Sequence, residues 1–152
     1  MTSPKITIYT DGACSGNPGY GGWAVYYLYD NIGKLCHGNE KLTTNNRMEL
    51  IAVIKALAGL KKHSNVVVYT DSTYVKEGIT KWIQSWMANN WRTSSKKEVK
   101  NIDLWQELLV LEKKHVVQWH WIRAHTESKD ANSIGNSIVD DLSVQSRKLV
   151  CK

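Results

Sequence analysis

The sequence contains no apolar run that approaches the ~20 residues needed to cross a bilayer, which excludes a helical membrane span. Its three cysteines, Cys14, Cys36 and Cys151, are odd in number and lack the spacing of a metal site. They indicate free thiols in a reducing compartment, so we expect an intracellular, cytoplasmic protein. Residues 1–4 show no secretory signal, and no low-complexity tract or long linker divides the chain.

The composition is that of a globular protein with a surplus of positive charge. The chain has 152 residues, 42% of them hydrophobic, and a formal net charge of +6. This length predicts a single domain, residues 1–152, with a substantial core. The basic balance favours polyanions such as nucleic acid as partners, and the alternative is a solvated surface with incidental charge.

Hydrophobic periodicity predicts an α/β domain with the element order βββαβα(α)αβα. The predicted strands are residues 5–10, 21–29, 34–41, 65–70 and 116–122. The predicted helices are residues 46–60, a short helix from residue 72, 80–88, 102–114 and 134–149, with polar loops at 89–100 and 123–132. A glycine-rich turn at 12–19 follows the first strand, and Gly78 interrupts the helical pattern. We expect the first, fourth and fifth strands to be parallel, with the second and third antiparallel beside the first.

The first and fourth predicted strands both end in Tyr-Thr-Asp, at Asp11 and Asp71. Both runs are apolar and β-branched, which is typical of strands buried on both faces of a parallel sheet. Ligands of open α/β sheets bind beyond the carboxyl ends of the strands, and neighbouring strands lie ~5 Å apart. Two carboxylates that close repel each other unless a proton or a cation lies between them. The pattern therefore predicts a divalent metal site.

Two further acids can join this pair. Glu49 lies in the first turn of the first predicted helix and borders its inward face, and the alternative is a helix-start acid in a capping interaction. The closing helix carries Asp140 and Asp141, of which one can point at the site while the other stays solvated. Spacing alone does not choose between them, and either can be an ordinary surface acid.

Several multi-residue motifs resemble the signature of type 1 ribonuclease H, in the bacterial form that carries a basic protrusion. They are Tyr9-Thr10-Asp11-Gly12, Asn17-Pro18-Gly19, Thr44-Asn45-Asn46-Arg47-Met48-Glu49-Leu50, Tyr69-Thr70-Asp71-Ser72, Trp82-Ile83 with Trp86 and Trp91, Val99-Lys100-Asn101 with Asp103-Leu104-Trp105, and Trp119-His120-Trp121. The resemblance covers residues 5–148. It implies the ribonuclease H-like fold, in which a five-stranded mixed sheet of order 3-2-1-4-5 is flanked by helices.

The resemblance implies a metal-dependent endonuclease that hydrolyses the RNA strand of RNA–DNA hybrids and leaves 5′-phosphate and 3′-hydroxyl ends. Its catalytic metal ligands would be Asp11, Glu49, Asp71 and Asp140. They would hold two Mg²⁺ ions about 4 Å apart around one phosphate, with Mn²⁺ as the alternative metal.

Two residues of the closing region take their roles from the resemblance as well. Asp140 is favoured over Asp141 because Asn136-x-x-x-Asp140-x-Leu142 fits the closing helix of the family. His125 matches a catalytic histidine that assists proton transfer or product release, and the alternative is a solvent-exposed loop histidine.

Substrate-binding residues are also implied. They are Gly12, Cys14, Asn17, Thr44, Asn45, Trp82, Trp86, Lys96, Lys97 and Lys100. Groups near the first strand and the first helix would read the 2′-hydroxyl and the minor groove, and the Trp- and Lys-rich protrusion would grip the DNA strand. Simple turn, cap and local aromatic-cluster roles are the alternatives. We expect a monomer that binds RNA–DNA hybrid and no membrane, with Trp105, Trp119 and Trp121 in the core.

The chain departs from the bacterial pattern at three places. Residues 126–139 are a longer segment than usual, Thr73 replaces a longer amide side chain, and residues 86–90 lack the usual strong positive charge. Fewer cations in the protrusion would weaken binding to the nucleic-acid backbone and flatten its salt dependence.

Two other functions share this fold. A non-catalytic RNA–DNA hybrid-binding module would have the same charge, but it would gain nothing from clustered acids that face phosphates. A junction resolvase or strand-transfer domain is a third reading, and the Trp-rich protrusion and the motif at residues 44–49 favour the hydrolase over it.

Overall fold

The structure is a computed structural model that describes residues 5–122 and 130–150. The strands are Lys5–Gly16 (β1), Gly19–Tyr29 (β2), Ile32–Thr43 (β3), Asn65–Thr70 (β4) and Val116–Trp121 (β5). The helices are Asn45–Ala58 (α1), Thr73–Glu77 (α2), Ile83–Ala88 (α3), Ile102–Glu112 (α4) and Ala131–Val150 (α5), and a π-helical segment, Gly78–Trp82, joins α2 to α3. Within these residues, no helix is both long and apolar enough to span a membrane.

The five strands form one sheet of order β3-β2-β1-β4-β5, which confirms the predicted strand order. β1 is antiparallel to β2 and parallel to β4, and β4 is parallel to β5. Tyr9 pairs with Tyr69, and Thr10 pairs with Thr70. The two Tyr-Thr-Asp sequences therefore lie side by side, and the aspartates that end them meet at one edge of the sheet.

Two helices cover opposite faces of the sheet and differ in how much apolar surface they bury. The larger core lies against α1, where Ile8 and Val68 of the sheet meet Leu50 of the helix, all with no exposed surface. The smaller cluster lies under α5 and consists of Tyr9, Ala24 and Val139, with Tyr26, Tyr69, Ile122 and Leu142 at its border. Because buried apolar area is the main source of stability, α1 is held chiefly by the core and α5 less so.

The glycine-rich segment after Asp11 is a strand, so the turn predicted at residues 12–19 is wrong in extent. β1 continues to Gly16 and pairs with β2 as far as Gly19, which leaves a tight turn with a cis peptide bond between Asn17 and Pro18. The reason is close packing: a Cβ at Gly12 would lie 2.6 Å from the backbone nitrogen of Glu49. Glycine is used here so that β1 can approach α1, not to reverse the chain.

Gly78 does not interrupt the helix. The chain passes from α2 through the π-helical segment into α3 without a break. The ring of Trp105 occupies the space that a Cβ at Gly78 would need. Gly78 therefore allows a large buried side chain to reach the helix backbone.

Trp121 lies at the surface, so the expectation that it belongs to the core is wrong. It is 41% exposed, whereas Trp105 is fully buried and Trp119 is partly buried against the core. Trp121 is the last residue of an edge strand, and its indole nitrogen donates to the backbone oxygen of Asp71 at 3.1 Å. An aromatic residue in an alternating strand pattern does not by itself reveal a polar role of this kind.

Helix ends differ from the predicted ends by a few residues, and capping explains two of them. Gly59 ends α1 before the predicted residue 60, and its N–H donates to the carbonyl of Lys55 at 3.0 Å. α5 begins at Ala131 instead of residue 134 because the Asp130 carboxylate accepts from the N–H of Ser133 at 2.8 Å.

Candidate metal centre and nucleic-acid interface

Three carboxylates converge at the sheet edge. Asp11 from β1, Glu49 from the first turns of α1 and Asp71 after β4 each place an oxygen within 4.8 Å of the others. Asp11 is 4% exposed and Glu49 is 6% exposed. The prediction from the paired strand ends thus identified two of the three, and the position near the start of α1 supplies the third.

The start of α1 fixes Glu49. Thr44 caps the helix, and its hydroxyl oxygen accepts from the N–H of Arg47 at 3.2 Å while its carbonyl accepts from Met48 at 3.0 Å. Because Gly12 lets β1 approach the backbone at Met48 and Glu49, the carboxylate of Glu49 is brought up to Asp11.

The backbone around Asp71 is held from both sides. The Thr70 hydroxyl oxygen accepts from the N–H of Ser72 at 3.0 Å, and the Thr70 carbonyl accepts from Ile122 at 2.9 Å. Trp121 donates to the Asp71 carbonyl, as described above. Ser72 in turn caps α2 by accepting from the N–H of Val75 at 3.1 Å. The turn that presents the Asp71 carboxylate is therefore tied to β5 and to α2.

Burial and mutual repulsion oppose the ionisation of this cluster. Burial, and then the charges of Glu49 and Asp71, raise the pKa of Asp11 far above its ordinary value. Burial and the charge of Asp71 likewise raise the pKa of Glu49. Like charges in a desolvated site cannot all ionise without a counter-charge. A bound cation would supply that counter-charge.

The donor set fits a hard divalent cation. Oε1 of Glu49 is buried and has no hydrogen-bond partner within the described part of the chain, so it is an orphaned acceptor on one of the three clustered carboxylates. Carboxylate oxygens are the ligands that Mg²⁺ prefers, usually together with waters and phosphate oxygens. Asp11, Glu49 and Asp71 are therefore the residues that would hold a metal ion.

An open cleft of about 350 Å³ lies over the three carboxylates. Asp140 lines it and is half-buried, whereas Asp141 is exposed and does not line it. Asp140 also lies within hydrogen-bond reach of Asp11, an interaction that adds to the rise in the pKa of Asp11. The structure thus places Asp140 at the cleft, and its role as a metal ligand stays a prediction.

Four further residues line the cleft, namely Asn46, Ser72, Thr73 and Tyr74. The sequence motifs contain Asn46 and Ser72 and mark Thr73 as a departure from the bacterial pattern, whereas Tyr74 was missed. Tyr74 follows Asp71 by three residues, so a helix that starts at the strand end would have placed it near the site. Its hydroxyl accepts from Asn101 Nδ2 at 3.1 Å and from Trp105 Nε1 at 3.0 Å.

A polar network ties the start of α1 to α4 and was also missed. Arg47 forms a bidentate ion pair with Asp103, at 3.1 and 2.9 Å, and donates to Asn101 Oδ1 at 3.1 Å. Asn101 adopts a left-handed backbone conformation with φ of 59°. Since Asn101 contacts both Arg47 and Tyr74, it links the helix that carries Glu49 to the helix that follows Asp71.

The predicted minor-groove residues lie beside the cleft. Asn45 lines it, and its N–H donates to Asn17 Oδ1 at 3.1 Å, which joins the β1–β2 turn to the start of α1. Gly12 lines the cleft as well. Cys14 lies farther along β1, half-buried, with its thiol 3.4 Å from the Thr43 carbonyl. Thr44 has the cap role and Asn17 the turn role, whereas Asn45 is the first residue of the helix.

The protrusion consists of Trp82 at the end of the π-helical segment, α3 and the loop at residues 89–100. Trp82 and Trp86 line a groove of about 370 Å³ together with Arg92, and their rings lie 6.0 Å apart. Lys97 and Lys100 line the adjoining groove, and Lys96 is exposed in the turn of the same loop. Trp86 also contacts Trp105 of the core, so the aromatic cluster both supports the protrusion and lines its surface. His125 lies outside the described residues.

Comparison with known proteins points to one family. The RNase H family model matches residues 3–148. A ribonuclease H of Orientia tsutsugamushi is 54% identical over 142 residues, which cover 93% of this chain and 82% of that protein. A ribonuclease H of Marinobacter nauticus is 51% identical over 138 residues, which cover 91% of this chain and 90% of that protein.

A solved structure gives the same answer. LC9-RNase H1, described as a type 1 RNase H with the type 2 active-site motif, superposes with a TM-score of 0.85 at 31% identity, covering 97% of this chain and 74% of that one. The fold and the acidic cleft thus define a metal-dependent endoribonuclease. The chain belongs to the ribonuclease H family.

Proposed function

We propose that this protein, acting as a monomer, hydrolyses the RNA strand of RNA–DNA hybrids with two Mg²⁺ ions and leaves 5′-phosphate and 3′-hydroxyl ends. The observation that carries the proposal is the convergence of Asp11, Glu49 and Asp71 in a cleft that opens beside a Trp- and Lys-lined protrusion. A protein of the same fold, LC11-RNase H1, is described in complex with RNA/DNA hybrid, with a TM-score of 0.69 at 20% identity and coverage of 97% of this chain and 99% of that one.

Each acidic residue has a distinct place in this proposal. Asp11, which interacts with both Glu49 and Asp71, would be the ligand shared by both metal ions, and Asp140 would complete the set from the cleft wall. When bound, the ions would supply Lewis-acid stabilisation at the scissile phosphate and activation of the attacking water. His125 would assist proton transfer or product release.

The remaining residues would position the hybrid. Backbone groups near Gly12 and Cys14 would contact a 2′-hydroxyl, which distinguishes the RNA strand from the DNA strand. Asn17 and Asn45 would reach the minor groove, and Thr44 would hold a phosphate of the DNA strand. Trp82 and Trp86, with Lys96, Lys97 and Lys100, would grip that strand through stacked rings and positive charge.

The test is a substrate panel for the purified protein. End-labelled RNA–DNA hybrid, RNA duplex and DNA duplex are incubated with Mg²⁺, with Mn²⁺ and with EDTA, and the product ends are mapped. We expect Mg²⁺-dependent cleavage of the RNA strand of the hybrid alone, with 5′-phosphate products. Hybrid binding without cleavage would replace this function by that of a binding module, and cleavage of DNA duplex would point to a different enzyme of the same fold. Light scattering at the assay concentration tests the monomer.

A further inference from the structure

The helix that carries Asp140 rests on a small apolar cluster and a face of small and polar residues. Gly135, Asn136, Ser143 and Ser146 are buried along α5, and Val139 is the buried apolar residue among them. Within the described residues, the buried members of this apolar cluster are Tyr9, Ala24 and Val139, with four partly buried residues packed against them. Hydrophobic packing therefore fixes the position of α5 less firmly than that of α1. Hydrogen bonds and close backbone contacts then determine the position of Asp140 on this helix.

One such contact lies at the start of the helix. The hydroxyl of Tyr9 donates to Asn132 Oδ1 at 2.8 Å. Burial, and then the neighbouring Tyr69, raise the pKa of Tyr9 to about 12, so the hydroxyl remains a donor at neutral pH. The helix backbone also rests on the same ring, since a Cβ at Gly135 would lie 2.6 Å from Cζ of Tyr9.

The ring of Tyr9 is itself held in a ladder that crosses four strands. Tyr9 stacks on Tyr26 of β2 at 6.0 Å and on Tyr69 of β4 at 5.2 Å, and Tyr69 stacks on His120 of β5 at 5.3 Å. The four residues are direct partners in the sheet register. Stacking on both sides restricts the Tyr9 ring, so α5 packs on a side chain whose position is fixed.

A second contact lies toward the other end of α5. The Ser146 hydroxyl donates to the Gly38 carbonyl at 2.6 Å, and Asn39 Nδ2 donates to the Ser146 carbonyl at 3.0 Å. Asp140 lies between Ser146 and Asn132, about 9 Å from the first and about 12 Å from the second along the helix axis at 1.5 Å per residue. It is held between two anchored points, of which Asn132 rests on Tyr9, the residue two positions before Asp11 on β1.

We propose that Tyr9 is a positioning residue for the carboxylate of Asp140, acting through Asn132 and Gly135. Tyr9 precedes Asp11 by two residues on β1, so both side chains lie on the sheet face that α5 covers. The same strand therefore places Asp11 and, through α5, its neighbour Asp140. This inference rests on the proposed role of Asp140 as a metal ligand.

The direct test is Tyr9→Phe, which removes the hydroxyl and keeps the stacked ring. We expect the dissociation constant of Mn²⁺, measured by calorimetry without substrate, to rise about 3- to 10-fold, the range that the loss of one positioning hydrogen bond permits. The kcat at saturating Mg²⁺ should change by less than about 2-fold, because the carboxylate set is intact. Asn132→Ala should reproduce the effect, and the double variant should add nothing to it.

Tyr26→Phe is the matched control, because its ring stands in the same ladder and its hydroxyl makes no hydrogen bond within the described residues. It should bind Mn²⁺ as the unmodified protein does. The Tyr9→Phe effect should also vanish in an Asp140→Asn background, where there is no carboxylate left to place.

Three results would overturn the inference. They are unchanged Mn²⁺ affinity in Tyr9→Phe, a lowered melting temperature as the only change, and an effect that persists in the Asp140→Asn background. Failure of the proposed function is distinguishable from these, since the unmodified protein would then show no Mg²⁺-dependent cleavage of hybrid at all.

Discussion

The indole N–H of Trp121 and the backbone carbonyl of Asp71 are joined by a hydrogen bond of 3.1 Å between neighbouring strands. The bond ties the turn that presents a candidate metal ligand to the last residue of β5. Trp121→Phe would keep a large ring and remove the donor. We expect the free energy of unfolding to fall by about 0.5–1.5 kcal/mol. We also expect half-maximal activity to require a higher Mg²⁺ concentration, because Asp71 would be held less firmly.

Chemical denaturation and a Mg²⁺ titration of hybrid cleavage measure these two effects. Trp119→Phe is the control, because the donor of Trp119 is bonded to Glu112, away from the metal ligands. If Trp121→Phe and Trp119→Phe respond to Mg²⁺ alike, Trp121 has no special link to Asp71.

Replacing Asp11 should stabilise the metal-free protein. Asp11 is buried beside Glu49 and Asp71, and both its burial and their charges oppose its ionisation. Asp11→Asn replaces a carboxyl group whose ionisation the site opposes with a neutral amide, so we expect a higher melting temperature in EDTA together with loss of cleavage. Binding of a non-cleavable hybrid analogue should persist. A lower melting temperature in EDTA would contradict the repulsion inferred at this site.

The same repulsion gives a pH dependence with a definite sign. Because the pKa of Asp11 and that of Glu49 are raised in the folded state, the stability they contribute is complete below the ordinary carboxyl pKa of about 4 and is lost as pH rises through the raised values. In EDTA, the difference in stability between Asp11→Asn and the unmodified protein should therefore grow from about pH 5 to about pH 9. Saturating Mg²⁺ should make this difference smaller. A stability difference that does not change with pH would contradict its origin in the carboxylate cluster.

His115 directly precedes β5, at the end of the sheet away from the carboxylates, and its contribution to stability depends on pH in the opposite sense. Its Nδ1 accepts from the N–H of Ser64 at 3.1 Å, and burial, with the nearby His63, lowers its pKa. For a base with a lowered pKa, the contribution to stability is present above the unfolded value of about 6.5 and is lost as pH falls. Asn at this position offers an acceptor that does not titrate. As pH falls, the unmodified protein should lose stability that His115→Asn does not lose, so the difference in stability between the two should become smaller. Thermal melts across this range measure the gap, and a gap that widens instead would contradict the bond.

The lysines of the protrusion should act on binding more than on chemistry. Lys96→Ala with Lys97→Ala removes two positive charges near the Trp-lined groove, so KM for hybrid should rise about 3- to 10-fold while kcat changes little. Lys34→Ala with Lys41→Ala on β3 is the charge-matched control. An unchanged KM at moderate salt, or an equal rise in the KM of the control variant, would contradict the role of the protrusion in binding the hybrid.

The sequence predicted the parts of this molecule that follow from strand pattern and motif. The apolar runs before Asp11 and Asp71 specified two buried parallel strands, and their common ending placed both carboxylates at one edge. The strand order and the family are confirmed. Glu49 followed from helix position and resemblance together.

Other features depend on contacts between distant residues and could not be predicted. Glycine at positions 12 and 78 signals a turn or a break in sequence, but here each accommodates a neighbour from another element. The hydrogen bonds of Trp121 to Asp71 and of Tyr9 to Asn132 join residues far apart in the chain. Nothing in local periodicity encodes such pairs.

The most direct measurement of the central claim is hybrid cleavage by Asp71→Asn beside Asp141→Asn. Asp71 lies in the carboxylate cluster, whereas Asp141 is exposed next to Asp140 and outside the cleft. We predict that Asp71→Asn binds hybrid and does not cut it, while Asp141→Asn cuts the RNA strand with Mg²⁺ at nearly the unmodified rate. Cleavage by Asp71→Asn at a comparable rate would contradict the assignment of the metal centre to Asp11, Glu49 and Asp71.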